Sequence, residues 1–136
     1  MRWSAVICLL WIGMIIGVSF LATPAKFLAT NVSLPDALAI GRATFSVFLW
    51  VECGFFVALI YVAILDQSMS FEVAALLLVL LGLLGINYLI IQPILDLRVQ
   101  FILDGNVVEP SQMHRLYVAI EMLKLLWIAF LTANLK

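Results

Sequence analysis

One histidine, His114, and two cysteines, Cys8 and Cys53, are all that this chain offers of the residues that most often hold metals. A lone imidazole excludes a bis-histidine haem site and an H-E-x-x-H zinc motif within the chain. Both cysteines lie inside apolar runs, where they read as small hydrophobes and not as a disulfide or metal framework. Charge is equally scarce: 11% of residues are Asp, Glu, Lys or Arg, against about 25% in soluble domains. The formal net charge of −1 leaves no basic surface for nucleic acid. No phosphate loop, nucleophile–base pair or metal cluster is written in the sequence, so no cofactor and no enzymatic activity are expected.

Apolar side chains are what the sequence has in abundance, at 66% of the residues. That is more than a 15.1 kDa globule can hide from water. The natural solvent is lipid, and the bilayer is the first expected partner. A hydrocarbon core of about 30 Å needs about 20 apolar residues in helix, and four stretches qualify: residues 3–22, 35–65, 71–103 and 112–135. The expected fold is all-α, an antiparallel bundle of four transmembrane helices in a single membrane domain. The first stretch is long enough to be a retained span rather than a cleaved leader.

Local signals mark the helix ends. "SLPD" (Ser33–Asp36) has the S-x-x-D capping pattern, with proline in the first turn. "SMSFE" offers Ser68 or Ser70 as a cap for the third helix, with Glu72 near its positive end. Pro110 opens the fourth helix, and "DGN" (Asp104–Asn106) is a turn. Pro93 removes a backbone donor and is expected to kink the third helix. Beyond it, Asp96, Gln100 and Asp104 recur every four residues, so the segment continues as helix and not as a strand with an open edge.

Charges near helix ends, such as Arg42, Asp66, Arg98 and Arg115, need only snorkel to the interface. Glu52, Glu121 and Lys124 have no such exit. A central charge facing lipid costs roughly 2.5–3.5 kcal/mol on insertion scales. Counted from the end shared by the first and third connections, Glu52 lies nine residues deep, Glu121 eight, Lys124 eleven and Asn87 eight. At 1.5 Å per residue they share a layer about 12–17 Å below that boundary. The spacing therefore predicts an intramembrane polar cluster of Glu52, Asn87, Glu121 and Lys124, with Asn87 or Tyr88 as neutral donor. Two roles fit it: a device that sets helix register, or a proton- or substrate-handling site of a small transporter.

"GMIIG" (Gly13–Gly17) and "GLLG" (Gly82–Gly85) are smooth patches for helix packing, inside the bundle or against another subunit. Trp3, Trp50 and Trp127 read as belt or packing aromatics. Lys26, Arg42, Arg98 and Arg115 on one side outnumber Arg2 and Lys136 on the other. This favours both termini in the periplasm of a bacterial inner membrane.

"SFLATPAKF" after the first span and "RVQFILDGNVVEPSQMHRLYVAIEMLKLLWIAFL" at the end resemble the small four-helix, TMEM-type membrane proteins of the DUF4149 group and their bacterial relatives. The resemblance implies a phenylalanine- and proline-bearing first loop, here Pro24 and Phe27. It also implies a histidine opening the last helix, His114, and a polar residue two turns on. That last position is Glu121, where the group's pattern has asparagine. The resemblance implies topology and no agreed activity. The function expected on all these grounds is a structural or accessory membrane component acting in a homo-oligomer or with other membrane subunits.

Overall fold

The computed structural model describes residues 2–109 and 111–135. Pro110 and Lys136, to which the sequence reading assigns the opening of the last helix and a terminal charge, lie outside the described residues. Four helices are long and apolar enough to cross a membrane: α1 (Trp3–Leu28), α2 (Leu34–Leu65), α3 (Phe71–Leu103) and α4 (Met113–Asn134). No strand occurs among the described residues. The chain is an integral membrane protein built as an antiparallel four-helix bundle.

The helix ends follow from local chemistry. Ser33 and Ser70 accept the backbone N–H groups of Asp36 and Val73, at 3.3 and 3.2 Å, and so satisfy first-turn donors. Ser68, the other candidate cap, belongs to the end of α2 instead, where its hydroxyl donates to the Ala63 carbonyl. Both α2 and α3 close with the same pair of crossed backbone bonds. In α2, Ser68 N–H reaches Ala63 O and Gln67 N–H reaches Ile64 O; in α3, Asn106 N–H reaches Phe101 O and Gly105 N–H reaches Ile102 O. This cap requires a left-handed residue, which is Gly105 at φ +84° in one case and Gln67 at φ +54° in the other. The Asp66 carboxylate beside Gln67 accepts the Ser4 N–H at 2.8 Å, tying the 2–3 turn to the free end of α1. That bond holds the Asp66 carboxyl below its ordinary range.

Two prolines lie inside helices, and each is preceded by a widened turn. In α1 the wide turn covers Ile16–Ala22, just before Thr23-Pro24; in α3 it covers Asn87–Ile91, just before Gln92-Pro93. The residue before each proline donates its N–H five residues back, Thr23 to Val18 O and Gln92 to Asn87 O. A proline ring collides with the carbonyl four residues earlier, and opening the turn to π geometry relieves that clash without ending the helix. α1 therefore continues to Leu28, six residues past its expected end at Ala22. Pro24 and Phe27 are helical residues, not loop residues.

α1 packs on α2 and α4, α3 packs on α4, and the second half of α3 packs on α2. α2 and α4 thus face each other across a diagonal, with little backbone contact between them. The main apolar core fills the half of the bundle nearest the termini, around Trp11, Leu59, Leu80, Ile128 and Leu131. Toward the other end only a small cluster of Ile91, Tyr117 and Ile120 is packed.

The glycine patches take no part in this packing. A Cβ placed on Gly13, Gly17, Gly82 or Gly85 would meet nothing within 4 Å; Gly13 and Gly82 are exposed, Gly17 and Gly85 half-buried. The close approach instead occurs at Gly41, where a side chain would run into the Lys26 ammonium. Trp3 and Trp50 face outward, and Trp127 donates its indole N–H to Leu76 O, joining α4 to α3.

Candidate functional site

Lys124 projects from α4 into the bundle and is fully buried. Its ammonium lies 2.6 and 2.7 Å from the two carboxylate oxygens of Glu52 and 2.7 Å from Glu121 Oε1. An ammonium has three donors and no acceptor; two of the Lys124 donors bond Glu52, and Glu121 pairs with the same charge. Glu52 stands on α2, across the diagonal, where backbones are too far apart to pack. The long lysine side chain spans the distance between the two backbones.

Each remaining helix adds one donor at this layer or more. From α1, the Trp11 indole donates to Glu52 Oε1 at 3.1 Å and the Ser19 hydroxyl to Glu121 Oε2 at 3.3 Å. From α3, the Asn87 amide donates to Glu121 Oε1 at 2.7 Å. Glu52, Asn87, Glu121 and Lys124 are all at least 97% buried, so none of these charges is solvated by bulk water. Asn87 Oδ1 is the one polar atom of the cluster that is buried without a partner.

The layer expected from depth counting is thus assembled, with all four of its members in direct contact through Lys124 and Glu121. Tyr88 is not among them; half-exposed, it packs edge-on against Trp50 on the outer face. Trp11 and Ser19 escaped the sequence reading because α1 carries no charge in its interior. The same depth count points to one of them, since Trp11 lies eleven residues from Ala22, level with Lys124. Ser19 gives no such signal, because its position depends on the wide turn before Pro24.

The two wide turns converge here. Ser19 sits in the first and Asn87 opens the second, and both donate to Glu121. Widened turns change which face a residue presents and occur often at functional positions. No protein-family profile, curated protein or solved structure matches this chain.

The environment of the cluster is lopsided. On the side of the termini it is closed by the main core. On the other side Glu121 forms part of the wall of a cavity of about 320 Å³, together with Ser19, Pro24, Phe27, His114 and Tyr117. Pro24, Phe27, His114 and Glu121 therefore border one space. A second cavity of about 300 Å³ shares Thr23, Phe27, Phe45 and His114 with the first and extends to Lys26, Arg42 and Asp96 at the bundle end. Lys26 lies over the Phe27 and Phe45 rings, 5.1 and 5.6 Å from their centroids, where the two cavities meet. Arg42 bonds Gln100 and pairs with Asp96, a surface contact of little energetic weight. No group of three metal-binding side chains occurs among the described residues.

Proposed function

We propose that this protein is a non-enzymatic component of a membrane assembly, with its helices held in register by the buried cluster. The observation that carries this reading is the pairing of the single buried Lys124 ammonium with carboxylates from both α2 and α4. In lipid, apolar faces slide past one another at little cost. A buried charge that finds its partners in one alignment only penalises every other alignment. The resulting body is a rigid support, and membership of the DUF4149 group accords with the cavity-side grouping of Pro24, Phe27, His114 and Glu121.

The outward glycines support association with a second copy or another membrane subunit, because small residues let backbones approach closely where no helix of this chain does. Cross-linking in native membranes is expected to trap a dimer or a larger complex. Gly13→Leu with Gly17→Leu is expected to reduce that product several-fold, whereas Gly54→Leu on α2 leaves it unchanged. A chain that cross-links to nothing in its native membrane defeats the proposal.

We place the protein in a bacterial inner membrane with both termini in the periplasm. The support is the excess of Lys and Arg on the side of the 1–2 and 3–4 connections. Alkaline phosphatase fused at Lys136 is expected to be active; an inactive fusion, with an active one in the 3–4 connection, reverses the orientation.

A further inference from the structure

The cluster holds two carboxylates and one ammonium, so with both acids ionised it carries an uncompensated negative charge in a site shielded from water. An isolated charge in such surroundings is costly. The hydrogen-bond partners differ between the two acids in a way that bears on this. Glu52 receives two bonds from Lys124 and one from Trp11, and both of these groups are donors only. A proton on either Glu52 oxygen has no acceptor to point at.

Glu121 is surrounded otherwise. Its Oε1 accepts from Asn87 and lies against the Lys124 ammonium, as a carbonyl oxygen of a protonated acid also can. Its Oε2 meets the Ser19 hydroxyl at 3.3 Å, the Tyr117 hydroxyl lies beside the same acid and Ser19, and a hydroxyl can reverse from donor to acceptor. The Asn87 amide is reversible too, and its Oδ1 is the unpartnered buried acceptor beside this acid. Glu121, not Glu52, borders the cavity that leads toward His114.

We infer that Glu121 is a proton-binding site in exchange with the aqueous phase at the end of the bundle bearing the 1–2 and 3–4 connections, while Glu52 and Lys124 stay a closed ion pair. On protonation, a proton from a hydronium ion on that side forms an O–H bond at Glu121 Oε2, and the Ser19 hydroxyl turns to accept it. A water molecule is left in the cavity, and the net charge of the cluster goes from −1 to zero. The groups facing Glu121 are Lys124, Tyr117 and His114 from α4, Ser19 from α1, Glu52 from α2 and Asn87 from α3. His114, Tyr117 and Glu121 fall at i, i+3 and i+7, so one face of α4 runs from the cavity mouth to the acid. The main core closes the opposite route, which makes the access one-sided.

Infrared difference spectra of the full chain in oriented proteoliposomes test this. A pH change on the connection side is expected to alter a carboxylic-acid C=O band; the same change on the terminus side is expected to leave it still. The band is expected to vanish in Glu121→Gln; in Glu52→Gln, which leaves Glu121 as the counter-charge of Lys124, it is expected to move to lower pH. Wild-type protein labelled with a hydrophobic carbodiimide, which attacks protonated carboxyls, is expected to carry the adduct on the Glu121 peptide and not on the Glu52 peptide. The inference is overturned by a titrating band that survives in Glu121→Gln, by response from the terminus side, by an adduct on Glu52, or by neither band nor adduct in wild type. Such a result leaves the register reading standing, since that reading is judged by unfolding stability and not by protonation.

Discussion

Lys124→Met is expected to weaken the folded bundle by about 3–5 kcal/mol, the range for removing one partner of a buried ion pair. Methionine keeps the unbranched apolar stem of the lysine and lacks only its terminal group, so the loss reports chiefly charge. It leaves Glu52 and Glu121 facing each other with no cation between α2 and α4. Adding Glu52→Gln is expected to recover most of that loss, since Glu121 keeps its neutral partners Asn87 and Ser19. A neutral interhelical hydrogen bond in a membrane averages only about 0.6 kcal/mol, so the effect of the single change stands well clear of ordinary polar contacts. Unfolding by titration with a denaturing detergent in mixed micelles measures all three variants. If Lys124→Met costs under about 1 kcal/mol, or the double variant is no better than the single, the ion pair does not set the register.

The second large effect belongs to Trp11, which is fully buried and stacks on Phe55 at 5.9 Å while donating to Glu52. Trp11→Ala is expected to cost about 3–5 kcal/mol through the cavity it leaves. Trp11→Phe keeps most of the ring and removes the indole donor, for an expected cost of roughly 1.5–3 kcal/mol, as for hydrogen bonds to charged groups. The same detergent titration separates the two parts. Equal costs for Ala and Phe sink the packing component; no cost for Phe sinks the hydrogen bond to Glu52.

Much of this site is legible in the chain itself, and what is not has definite causes. Glu52, Asn87, Glu121 and Lys124 can be matched by counting because helical rise converts sequence distance into depth. Counting says nothing about azimuth, so it cannot distinguish Asn87, which turns inward, from Tyr88, which turns to the lipid face. It also overlooks α1, whose contributions Trp11 and Ser19 are uncharged. The glycine patches show the same gap. G-x-x-x-G spacing signals a smooth surface, yet which neighbour covers that surface depends on bundle geometry, and within this chain none does.

Prolines are the clearest case. Pro24 and Pro93 are helix breakers by local rule, and the sequence reading ends α1 before the first and kinks α3 at the second. In the bundle both helices run on, α3 as expected and α1 beyond its expected end, because one wide turn absorbs each proline clash. The sequence alone determines that this protein lives in lipid, that it crosses four times, and that four polar groups share one depth. Composition, span length and helical rise suffice for those. Only the tertiary structure decides that Lys124 reaches across a diagonal to Glu52, that two proline-induced turns deliver Ser19 and Asn87 to Glu121, and that one acid is sealed while the other borders a cavity. Those outcomes depend on the rotation of each helix about its own axis, which long-range packing sets and local sequence does not.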